Sequence, residues 1–173
     1  MIFPVDMYVD SFHARPARFG NTRPKGRVHA GCDLYVPEGT AVHAVADGII
    51  RTDLSPFYEG TASIVIDHFF FIVRYGELSF EAPVNDGVYS NPVSGEVKEG
   101  RILGYVKRTN YPVPMLHFEM YSGSGSGPLT NRMNKPTKRR SDLMDPTDWL
   151  KSMAKTGNLL AKETSHLHRL RRL

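Results

Sequence analysis

At 173 residues, with 40% apolar and 23% charged residues, the chain has the makeup of one globular domain large enough to bury a real core. A net charge of +4 with no recognisable nucleic-acid module argues against nucleic acid as the partner. No apolar run reaches the ~18 residues of a membrane span, so none is expected.

The N-terminal stretch MIFPVDMYVDSFHARPARFG has no basic region ahead of an apolar run, so no secretory signal is expected. The first chemically informative segment is RVHAGCD, where His29 and Asp33 are four residues apart with Gly31 between them. Gly31 permits a tight backbone path between two metal-ligating side chains. Cys32 is the chain's single cysteine, which rules out an internal disulfide. Lying next to Asp33 on an extended segment, it should point away and behave as a small buried hydrophobe rather than a fourth ligand.

DLYVPEGTAVHAVADGII predicts two short strands, Leu34 to Val36 and Ala41 to Val45, around a Pro37–Gly39 turn. His43 in the second of these is read as a hydrogen-bonded structural histidine. SIVIDHFFFIVRYG predicts a hairpin with His68 at its turn; EAPVNDGVYSNPVSGEVKEG reads as loop and short strands, and RILGYVKR as another strand.

MLHFEMY is an apolar-rich strand bounded by Pro114 and by the Gly-Ser stretch at 122–127. Alternation puts Met115, His117 and Glu119 on one face and Leu116, Phe118 and Met120 on the other. A histidine at the centre of a polar face, backed by large apolar side chains, presents a site while packing a core. His29, Asp33 and His117 are thus candidates to hold one zinc ion, which in catalytic sites takes three protein ligands and keeps a position for water.

SGSGSGPLTNRMNKPTKRRSD reads as a long flexible loop, with five basic residues and no acid between Arg132 and Arg140. DPTDWLKSMAKTGNLLAKETSHLHRLRRL reads as helix, capped by Thr147 or Asp148, with Leu150, Met153 and Ala154 on one face and Gly157 interrupting it. The basic runs 132–140 and 169–172 are ordinarily solvated surface; their functional reading is attraction to an anionic cell-wall polymer. The expected fold is mainly β: an antiparallel sheet or barrel-like domain over 1–150, with a basic helical tail over 151–173.

HAGCDLYVPEGTAVHAVADG, followed in order by ASIVIDH, RYGEL, KEGRILGYV and LHFEMY, resembles the lysostaphin-like (LytM-type) zinc metallopeptidases across roughly Phe19 to Leu150. The resemblance implies zinc held by His29, Asp33 and His117, and a peptidoglycan peptide as substrate. It also implies two unligated histidines that activate water and stabilise the transition state. Those two positions hold Glu77 and Met115 here. A carboxylate can serve as general base; a thioether can only pack.

Two functions follow as expectations. The first is a zinc-dependent endopeptidase cutting peptidoglycan cross-links, with Glu77 as substitute base. The second is a zinc-binding pseudopeptidase that acts as a peptidoglycan-binding, regulatory or virion structural module. Lacking a signal, such a protein is expected to be made in the cytoplasm and to reach the periplasm or wall by lysis, a phage tail or a secretion machine.

Overall fold

The computed structural model describes residues 1–7, 9–81, 95–129 and 140–154. Eleven strands run in chain order: β1 (Thr22–Arg23), β2 (Arg27–Val28), β3 (Cys32–Tyr35), β4 (Ala41–His43), β5 (Gly48–Pro56), β6 (Ala62–Asp67), β7 (Ile72–Leu78), β8 (Gly95–Val97), β9 (Ile102–Tyr105), β10 (Met115–Tyr121) and β11 (Leu143–Met144), counted among the described residues. The fold is mainly antiparallel β, as the alternating patterns predict.

The principal sheet has seven strands, and β10 lies at its functional centre. One edge of β10 pairs with β7; the other pairs first with β3 and then with β11. The sheet continues from β7 through β6 and β5 to β8. Two smaller ribbons, β1–β2 and β4–β9, complete the strand pairing among the described residues.

Alternation sorts β10 into two faces. Leu116, Phe118 and Met120 join one core with Leu34, Ile64, Ile66, Val73 and Tyr75 from the neighbouring strands. Val42 and Leu103 from the β4–β9 ribbon, Val5 and Phe12 from the N-terminal segment, and Leu150 and Met153 belong to the same cluster. Burying such side chains fully is worth roughly 1.5–3 kcal/mol each, so this face fixes the register that presents the other.

Leu150 and Met153 come from a helix over 147–154, α1. Its cap differs from the expected Thr147 or Asp148: the Asp145 carboxylate accepts the Thr147 N–H at 2.9 Å and the Thr147 hydroxyl at 2.6 Å. The reason is the Asp-Pro step, since a proline entering a first turn leaves an acid just ahead to take the free N–H groups. The Gly-Ser stretch also departs from a plain flexible loop near its ends. Buried Asp142 accepts the Gly123 and Gly125 N–H groups at 3.1 and 3.0 Å and pairs with Arg140, whose guanidinium lies over the Tyr121 ring. The basic segment 132–139 and the tail beyond 154 lie outside the described residues.

Candidate metal centre

The β3–β10 register brings the three metal candidates together. His117 is the cross-strand partner of Asp33, and His29 enters four residues before Asp33. Gly31 matters here for a reason beyond backbone freedom: a Cβ at this position would come within 2.4 Å of the Phe118 carbonyl oxygen. Only a glycine lets the 29–33 segment lie this close to β10.

His29 Nε2, Asp33 Oδ1 and His117 Nδ1 form a triangle with sides of 3.0, 2.8 and 3.2 Å. All three residues are buried. The His29 Nδ1–H donates to the Arg18 carbonyl at 2.9 Å, which leaves Nε2 as a lone pair aimed at the Asp33 carboxylate. Two acceptor atoms 3.0 Å apart need a cation between them. Tetrahedral zinc with bonds of about 2.0–2.1 Å spaces its ligand atoms about 3.3 Å apart, so the triangle fits that ion.

The outer partners of these ligands are equally definite. The His117 Nε2–H donates to Glu119 Oε1 at 3.0 Å, and Glu119 Oε2 accepts from the Tyr121 hydroxyl at 2.6 Å and from Arg74 at 3.2 Å. Arg23 donates to the second Asp33 oxygen, Oδ2, at 2.7 Å. A Cβ on Gly76 would meet the Phe57 ring at 2.6 Å; its absence lets that ring lie 5.6 Å from His117 as an apolar wall. Strand alternation had already placed Glu119 beside His117, but gave it no task. Arg23 and Phe57 carried no sequence signal of their own, because their approach depends on pairing between distant segments.

Electrostatics separates the two histidines. Burial lowers the pKa of His29, against the raising influence of Asp33. With no ion bound, burial opposes charge on His117, but hydrogen bonds to Asp33 and Glu119 outweigh it and raise its pKa to about 10; a metal at Nδ1 would displace that proton. For Asp33 burial favours the neutral acid, yet with no ion bound protonated His117 and His29 beside it win and hold it well below the usual carboxylate range; a bound cation would take their place.

Glu77 reaches this side of the sheet through a break in alternation. Tyr75 and Leu78 both belong to the core although three residues apart, and Ser63 pairs Gly76 while Ala62 pairs Leu78. Glu77 is therefore the extra residue of a β-bulge, with φ at +65°, a conformation costly for a non-glycine residue and frequent at functional positions. It is 8% exposed, and its Oε2 has no hydrogen-bond partner among the described residues. Burial pushes its pKa up to about 7, with His117 pulling down and Asp33 and Glu59 pushing up. Its oxygens do not join the compact ligand cluster. Met115 is buried at the start of β10, on the His117 face, opposite Tyr35.

A model of peptidase family M23 matches residues 27–130. The chain belongs to peptidase family M23. Members of this family are zinc-dependent, in keeping with the His-Asp-His cluster. Among solved structures, lysostaphin in solution is 26% identical with a TM-score of 0.54, covering 78% of this chain and 49% of its own. The antimicrobial peptidase lysostaphin from Staphylococcus simulans is 23% identical with a TM-score of 0.57, covering 89% of this chain and 56% of its own. A zinc-containing peptidase from Vibrio cholerae is 24% identical at a TM-score of 0.51, covering 68% and 35%. This M23 chain thus spans about half the length of these two lysostaphin chains. No curated protein matches it by sequence.

Proposed function

We propose that this chain is a zinc-dependent endopeptidase that hydrolyses peptide cross-links of bacterial peptidoglycan, with Glu77 as general base. His29, Asp33 and His117 hold the ion, which when bound acts as a Lewis acid and makes water nucleophilic near neutral pH. Glu119 and the Arg18 carbonyl fix the tautomers of the two histidines.

The observation that carries the reading is Glu77 itself: a buried carboxylate on a bulge, with one orphaned oxygen and a pKa raised to about 7. That value belongs to the ion-free chain; burial leaves Glu77 a stronger base than an exposed carboxylate, which suits it to shuttle protons. Glu77 takes a proton from the attacking water and passes it to the departing amine nitrogen. One water and one peptide bond become a carboxylate and an ammonium ion. Purified peptidoglycan incubated with the protein should release new amino groups, and a chelator should stop their release. Absence of release in the zinc-loaded protein contradicts the reading.

Met115 favours a second reading. A buried thioether where the resembled enzymes carry a histidine can neither move a proton nor donate a hydrogen bond. In that case the chain binds peptidoglycan without cutting it, as a regulatory or virion structural module. In either reading, the basic run 132–140 attracts an anionic wall polymer.

A further inference from the structure

Peptide hydrolysis is helped, beyond a Lewis acid, by a group that takes a proton and by a hydrogen-bond donor that shares the charge growing on the carbonyl oxygen. Glu77 can supply the first. It cannot supply the second, because a base that enters as the carboxylate has no hydrogen to donate. Met115 has none either. Neither residue at the two family histidine positions therefore supplies that donor.

Arg23 is placed to do so. The β1–β2 ribbon pairs Arg23 with Arg27 and leads directly into His29, and the His29 N–H continues the ribbon by donating to the Asn21 carbonyl at 2.8 Å. The guanidinium ends against Asp33 Oδ2 at 2.7 Å, on the carboxylate oxygen that does not join the ligand triangle. A guanidinium has five N–H donors in a fixed plane, and this contact is its one hydrogen bond among the described residues. The Arg23 side chain keeps 23% exposure while Asp33 keeps 5%, so the arginine is the solvent-reaching member of the pair. Its charge also reaches beyond Asp33: after the dominant effect of burial and those of nearer groups, Arg23 draws down the pKa values of His29, Tyr35 and Glu77. The base and the metal ligands thus both lie within the electrostatic reach of this one cation.

We propose that Arg23 is the oxyanion donor of this site: anchored by Asp33, it turns its remaining N–H groups to the substrate oxygen that gains negative charge when water adds. Asp33 thereby holds the metal with one oxygen and the donor with the other, so neither reorganises during reaction. This rests on the peptidase reading for its catalytic half; the binding of an oxyanion beside the metal is independent of turnover.

The test uses Arg23→Gln and Arg23→Lys in the full chain, with zinc content, inorganic phosphate binding to the zinc-loaded protein, and peptidoglycan turnover measured on each. Phosphate serves as a tetrahedral oxyanion. Arg23→Gln should retain its zinc, bind phosphate about tenfold more weakly for the loss of a charged hydrogen bond, and lose about 100-fold in kcat with little change in KM. Arg23→Lys, which keeps the charge without the planar fork, should recover part of both losses. Unchanged phosphate affinity in Arg23→Gln overturns the proposal, as does a loss of kcat that merely follows a loss of zinc. A wild type that turns nothing over removes the peptidase reading, and phosphate affinity then decides the Arg23 assignment by itself.

Discussion

Glu119 accepts the Nε2–H of His117 at 3.0 Å, from two residues further along the same strand face. That bond selects which nitrogen of His117 turns to Asp33, and it is held by the Tyr121 hydroxyl and Arg74. Glu119→Gln should therefore leave the fold intact and weaken zinc binding about 10- to 100-fold, the usual worth of such an outer partner. Competition with a chromogenic chelator measures this; wild-type affinity in the variant would remove Glu119 from the site.

The raised pKa of Glu77 has a stability consequence. Its folded value of about 7 lies above the ordinary carboxylate value of 4.5, so the folded chain keeps this proton longer than the unfolded chain. Stability from this group is greatest below pH 4.5 and declines as pH rises through 7. In chelator-treated protein at pH 8, Glu77→Gln should then melt at a higher temperature than the wild type. Bound zinc draws the carboxylate pKa down and should shrink the difference. A variant that melts lower at pH 8 contradicts the strained, desolvated carboxylate described here.

For the basic run, binding to whole sacculi should weaken as salt passes ~0.15 M, where the screening length is near 8 Å. Neutralising Arg132, Lys135, Lys138, Arg139 and Arg140 together should reduce that binding and leave zinc content unchanged. Binding indifferent to both changes returns the run to solvated surface.

The β10 face was legible because a period of two is a local property: MLHFEMY sorts its side chains without knowledge of any neighbour. The proximity of His29 and Asp33 was legible from their spacing, and the helix from its apolar stripe. What escaped was set by partners far along the chain. YGEL reads as plain alternation, and only pairing with Ala62 and Ser63 reveals Glu77 as the bulged residue. Arg23 lies six residues before His29 in a stretch with no periodicity, and a two-residue ribbon decides where it points. The Asp145 cap was missed although the Asp-Pro step was in view.

The most direct measurement compares peptidoglycan turnover by the zinc-loaded wild type, Glu77→Gln, Met115→His, and the double variant Glu77→His with Met115→His. With Glu77 as base, the wild type should be active, Glu77→Gln should lose at least about 100-fold in rate, and Met115→His should gain, since an imidazole there shares the strand face of His117. An inactive wild type with turnover confined to the double variant would mean that the natural chain binds peptidoglycan and does not cut it.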